Sequence, residues 1–152
     1  RARNTLMHYF YFDTSAIAKR YSPETGSKKI DDIIGDKSNI VVIGNIAITE
    51  LYSAISKKYR IGEISRQDFL SAIYRFENDI SKNIYRFLEV DNEVITAAKI
   101  LILKYSELRT YDSIHLSLAL QLTKLKPIIV TSDTVLLKTC ISEGLKVINP
   151  EQ

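Results

Sequence analysis

Apolar positions along this chain follow two rhythms. Short runs that are almost wholly apolar alternate with longer stretches in which apolar residues recur every three to four positions. The short runs His8 to Phe12, Ile40 to Ile43, Ile84 to Val90, Ile128 to Val130 and Leu145 to Ile148 predict strands. The longer stretches predict helices over Ala16 to Tyr21, Ser27 to Asp36, Asn45 to Tyr59, Arg66 to Ile80, Asn92 to Tyr105, Tyr111 to Leu122 and Asp133 to Ile141. The helix from Asn45 has the clearest stripe, with Ile48, Leu51, Tyr52, Ile55 and Tyr59 on one face. Strands that are apolar on both faces and alternate with helices imply an α/β fold: a parallel five-stranded sheet flanked by helices in three layers. No repeat or linker divides the chain, and residues 7–150 read as one domain. Arg1 to Leu6 precede the only methionine, Met7, and are set aside as an expression remnant or an upstream extension.

Composition narrows the setting. No apolar run approaches the roughly 20 residues a membrane-spanning helix needs. There is no secretory leader pattern, and the single cysteine, Cys140, excludes an internal disulfide. A cytoplasmic protein with no membrane association is the expectation.

The distribution of charge changes the picture more. Asp13 is the only charge between Arg3 and Lys19, and Glu50 the only one between Lys37 and Lys57. Asp112 stands alone between Arg109 and Lys124, as Asp133 does between Lys126 and Lys138. In a chain that is 26% charged, such isolation calls for a local cause. A carboxylate beside a core is costly unless it is paired or binds a metal. Four without a basic neighbour in sequence read as a divalent-cation site. Asp13 and Asp133 fall at the carboxyl ends of predicted parallel strands, the edge where open α/β sheets bind ligands. Asp112 opens a helix and Glu50 sits in the second turn of another, and both helix starts border that edge.

The competing reading for the three aspartates is helix capping, at roughly 1 kcal/mol each. Thr14, Ser15, Thr110, Ser132 and Thr134 could also cap, and capping does not account for the missing neighbouring charge. For Glu50 the competing reading is a solvated helix glutamate. Its neighbours at i−3 and i+4, Ala47 and Ala54, instead form a small-residue face open to close approach.

The segments carrying these acids resemble a known set of motifs. Phe12-Asp13-Thr14-Ser15-Ala16, Thr49-Glu50-Leu51, Tyr111-Asp112-Ser113-Ile114-His115-Leu116, and Thr131-Ser132-Asp133 with Leu136 are similar, in order and spacing, to those of PIN-domain ribonucleases. Within that family the chain most resembles the VapC toxins of bacterial and archaeal toxin–antitoxin pairs. The resemblance spans Met7 to Pro150. It implies an acidic cleft at the carboxyl edge of the sheet and Mg²⁺- or Mn²⁺-dependent cleavage of RNA. Asp13, Glu50, Asp112 and Asp133 would form the acidic quartet, and Ser15 and Thr131 would supply hydroxyls lining the site. It further implies a small antitoxin covering the cleft, and a homodimer. Ser113 stands where the family commonly has alanine, and His115 is a variant these toxins tolerate.

Hard divalent cations take oxygen ligands, which four carboxylates provide. Asp13 and Asp112 read as the central ligands, with Glu50 and Asp133 completing the set directly or through water. Glu50 is also the candidate for a base that acts independently of metal. His8 and His115 with one distant cysteine make no zinc pattern. A histidine-pair ribonuclease is a weaker reading, and His115 fits better as a packed or supporting residue. An aspartyl-phosphate phosphatase would need an aspartate where Ser15 stands. A PIN-fold interaction module without catalysis is the remaining alternative.

Three basic clusters lie just outside the uncharged stretches: Lys19-Arg20, Lys57-Lys58 with Arg60, and Lys124 with Lys126. They read either as helix-end charges or as contacts for RNA phosphates. Of the tyrosines, Tyr21 and Tyr111 lie near the acidic edge and could stack on bases; the others read as packing. Phe69, Ile73 and Phe76 form a stripe that is either core or a docking groove.

Overall fold

The computed structural model describes residues 6–152. The set-aside residues 1–5 therefore lie outside the described residues. The strands are β1 (His8–Phe12), β2 (Asn39–Gly44), β3 (Tyr85–Leu88), β4 (Ile128–Val130) and β5 (Lys146–Ile148). The helices are α1 (Thr14–Tyr21), α2 (Ser27–Gly35), α3 (Ile46–Arg60), α4 (Arg66–Ser81), α5 (Asn92–Lys104), α6 (Thr110–Gln121) and α7 (Thr134–Ser142). All strand pairings are parallel, in the order β3-β2-β1-β4-β5. The parallel α/β sheet expected from the sequence is present, with elements differing from the predicted bounds by a residue or two at most ends.

Alternation along β1 explains the layers. Phe10 and Phe12 face one core, with residues of α1, α2, α3 and α4. Tyr11 faces the other, with residues of α5, α6 and α7. α6 is buried from Ser113 to Ala119, so nearly every side of it meets protein. Gly44 permits the approach of α6 to the end of β2: a β-carbon there would lie 2.5 Å from Leu118 Cδ1. Phe76 is fully buried, and Phe69 and Ile73 pack against the same core. The stripe on α4 is therefore core, because its aromatic rings close against Tyr52 and Tyr59 of α3.

Among the described residues, no helix is long and apolar enough to cross a membrane. Chain order reverses at β1, whose neighbours are β2 and β4. The crevice at the carboxyl ends of β1 and β4 is thus the topological switch point, where ligands enter open α/β sheets.

Candidate active site

Asp13 leaves β1 directly into that crevice and is buried. Its Oδ1 accepts hydrogen bonds from Ser15 Oγ at 2.7 Å and from the Ala16 amide at 3.0 Å. The amide bond makes Asp13 the N-cap of α1. Its Oδ2 accepts a 2.6 Å bond from Thr131 Oγ1, which joins the loop after β4 to the end of β1. Thr131 Oγ1 in turn accepts the Asp133 amide at 3.0 Å, and Ser15 Oγ accepts the Ser132 amide at 3.1 Å. Asp133 caps α7, with Oδ1 accepting from the Leu136 amide at 2.8 Å. Capping therefore does apply to Asp13 and Asp133. Each spends one oxygen on its helix. It does not apply to Asp112, which lies in the first turn of α6 behind the N-cap Arg109.

Glu50 comes from the second turn of α3. Its Oε1 accepts from Thr14 Oγ1 at 2.9 Å and from His115 Nε2 at 2.7 Å. The other ring nitrogen of His115 is hydrogen-bonded to the Tyr11 hydroxyl at 2.6 Å. A buried chain, Tyr11–His115–Glu50, thus links β1, α6 and α3. His115 is itself buried and hydrogen-bonded at both ring nitrogens, a packed residue one turn after Asp112. The roles of Tyr11 and Thr14 were not legible in sequence; one is a polar tip in an aromatic strand, the other one of several possible caps. Ala47 is fully buried, whereas Ala54 lines the groove beside Glu50.

The electrostatics reflect crowding of like charge. Burial raises the pKa of Asp13, although His115 and the three hydrogen bonds pull the other way. Burial also raises that of Asp112, and the Asp133 charge adds to it, with Asp13 contributing further. At His115 burial pushes the pKa down, but the Glu50 bond and the charges of Asp13, Glu50 and Asp112 outweigh it, leaving the imidazole above its ordinary value. Burial and the Asp13 and Glu50 charges hold the Tyr11 phenol well above its usual range. Among the described residues no lysine or arginine forms an ion pair with any of the four acids. Nor do three or more His, Cys, Asp or Glu side chains converge into a ready-made metal cage among them. The donor set is nonetheless oxygen-rich, with His115 at Glu50 as its one ionisable partner, which suits a hard cation that keeps several of its waters.

The basic clusters divide on folding. Lys19 is buried and paired with Glu24 and Glu151; Arg20 pairs with Asp79 and Asp31. Lys126 flanks a hollow with Leu6, His8 and Lys146, at the opposite edge of the sheet. Only Lys57 of the three clusters lines the groove beside Glu50. Tyr21 is buried and donates to Asp79 at 2.6 Å, so it cannot stack on a base; Tyr111 is 58% exposed. Cys140 is a buried helix residue whose thiol is pushed up to about 12 by burial.

The fold is a doubly wound parallel α/β arrangement whose switch point carries Asp13 after β1 and Asp133 after β4. The chain belongs to the PIN domain family, whose model matches residues 10–142. No curated protein matches it by sequence. Among solved structures it is similar to FitAcB from Neisseria gonorrhoeae, at 20% identity and a TM-score of 0.65, over 93% of this chain and 97% of that one. PAE2754 from Pyrobaculum aerophilum gives the same identity and score, over 93% and 84%. VapBC2 from Rickettsia felis, solved bound to a DNA fragment from its promoter, gives 14% and 0.61, over 93% and 98%. At these identities the likeness is one of fold.

Proposed function

We propose that this chain is a divalent-metal-dependent endoribonuclease and the toxin of a toxin–antitoxin pair, with residues 7–150 as its nuclease domain. The observation that supports this best is that Asp112 feels the charges of Asp133 and Asp13, and His115 those of Asp13, Glu50 and Asp112, while none of the four acids has a lysine or arginine partner among the described residues. Similarity of fold to VapBC2 and FitAcB supports the toxin assignment.

In the proposed reaction, water attacks a phosphodiester phosphorus. A bond from the water oxygen to phosphorus forms, and the bond to the leaving ribose oxygen breaks. A Mg²⁺ or Mn²⁺ ion held by Asp13 and Asp112, with Asp133 and, through water, Glu50 completing the set, would offset the carboxylate charge and ease ionisation of water. Glu50 would accept the water proton, because Thr14 and His115 fix one of its oxygens and leave the other for that task. Ser15 and Thr131 orient Asp13 through direct hydrogen bonds. The leaving oxygen takes a proton from solvent.

The reading includes a small antitoxin and a second copy of the chain as partners. α5 carries exposed Ile95, Ile100, Ile102 and Leu103, an apolar surface of the kind that protein partners cover.

The test is cleavage of labelled RNA by the purified chain. With Mg²⁺ or Mn²⁺ the wild type should cut, and chelator should stop it. Equal cleavage with and without chelator contradicts metal dependence, and no cleavage under any condition favours the inactive interaction module.

A further inference from the structure

A groove of about 420 Å³ is lined by Glu50 together with Thr49, Ser53, Ala54 and Lys57 of α3 and Tyr111 at the start of α6. Glu50, Ala54 and Lys57 lie at i, i+4 and i+7, so they share one stripe of α3. Seven residues of helix carry that stripe about 10 Å from the acidic centre. The small Ala54 keeps its middle open.

Two of the residues lining the groove stand out chemically. Tyr111 directly precedes Asp112 and is 58% exposed, although the other tyrosine near this edge, Tyr21, is buried in hydrogen bonds. Lys57 is exposed and has no carboxylate partner among the described residues, although its neighbour Lys58 pairs with Glu24. An open aromatic face and an uncommitted cation beside a phosphate-cleaving centre match the way unpaired nucleotides are held. The base stacks on the ring, and the backbone phosphate meets the cation. Stacking of this kind requires a base free of its partner strand.

We propose that this groove holds the nucleotide next to the phosphate that is cut, in single-stranded RNA, with its base on Tyr111 and its outer phosphate on Lys57. The proposal rests on the ribonuclease reading above. Tyr111 and Lys57 position substrate and take no part in bond breaking.

The experiment uses the full chain and a fluorescein-labelled single-stranded RNA of about ten nucleotides, within the usual span of single-strand binding sites. Binding is read by anisotropy with Mn²⁺ in an Asp112→Asn background, and cleavage kinetics are measured with Asp112 intact. Tyr111→Ala should weaken binding about ten-fold, the loss of one base stack, while Tyr111→Phe should bind as the parent does. In cleavage the loss should appear in KM rather than kcat. Lys57→Gln should lower affinity and reduce the slope of log affinity against log salt by about 0.7, one phosphate contact fewer. Both side chains are exposed, so melting temperatures should not move. Unchanged binding by either Tyr111→Ala or Lys57→Gln, with the wild type still cleaving, overturns the groove and leaves the ribonuclease standing, even where a variant alters affinity for a protein partner. Equal Tyr111 dependence on fully paired RNA also overturns it. A wild type that neither binds nor cuts RNA overturns both.

Discussion

His115 Nε2 donates a 2.7 Å hydrogen bond to Glu50 Oε1, tying α6 to α3 across the mouth of the crevice. The bond fixes one carboxylate oxygen of Glu50 from a helix whose own first turn carries Asp112. Two of the four acids are thereby held in register by a residue that is not one of them. Tyr11, on the other side of the ring, extends the tie to the central strand.

Removing the tie should disturb activity more than the loss of one contact suggests. His115→Ala should lower metal-dependent RNA cleavage by about 10–100-fold, as is usual when the partner of a metal-binding side chain is lost. The check is the cleavage rate as a function of Mn²⁺ concentration, with the melt recorded alongside because His115 is buried. A folded variant that cuts at the wild-type rate would remove His115 from the account.

Asp133 caps α7, and the proposed reaction gives it a second job that substitution can separate from the first. Asparagine keeps the cap of α7, and alanine removes it. Asp133→Asn should fold with wild-type stability, whereas Asp133→Ala should lose about 1 kcal/mol. Both should lose cleavage activity, because the charge is gone from each. Full activity in Asp133→Asn would reduce Asp133 to a helix cap.

Thr131→Val tests the join between the first and fourth strands. It leaves Asp13 Oδ2 and the Asp133 amide without the bonds they now make. Stranding such groups costs about 1–3 kcal/mol. Urea unfolding should show that loss with an unchanged slope; an unchanged midpoint would mean that the join contributes nothing.

The crowding of charge should make the metal-free protein pH-sensitive in a definite direction. Burial, together with the Asp133 charge at Asp112, holds Asp13 and Asp112 above the ordinary carboxylate value of 3.8. The Glu50 bond and neighbouring acids, outweighing burial, hold His115 above 6.5. All three groups bind protons more tightly folded than unfolded. Their contribution to stability is therefore present at low pH and is lost as pH rises through the folded-state values. In chelator, the urea midpoint should fall as pH rises above the ordinary carboxylate value and on past the ordinary imidazole value. Asp112→Asn should flatten that fall and be the more stable protein at the upper end. A wild-type midpoint that rises over this range contradicts the crowding.

Much of the fold was legible because it is local. Ile128–Val130 is a strand as predicted, and the stripe of Leu51 and Ile55 faces the core. The predicted strand over 84–90 shortens to Tyr85–Leu88, because β3 is an edge strand paired on one side only. The isolation of the four acids, and the place of His115 one turn after Asp112, could be read from the sequence. What surrounds them could not. The Tyr11–His115 bond spans 104 positions and the His115–Glu50 bond 65, and no local pattern encodes either. The same holds for the cations: Arg20 looks free in sequence, yet it turns inward to Asp79, which is 59 positions away. Of the two readings of the basic clusters, contact with RNA phosphates stays open at Lys57, which lines the groove beside Glu50.

The central claim is that four isolated acids gather to hold a divalent cation, and calorimetric titration of Mn²⁺ tests it most directly. The wild type should bind with a saturable isotherm, and Asp112→Asn should bind weakly or not at all while keeping its fold. No binding by the wild type, or equal binding by both proteins, would contradict the account.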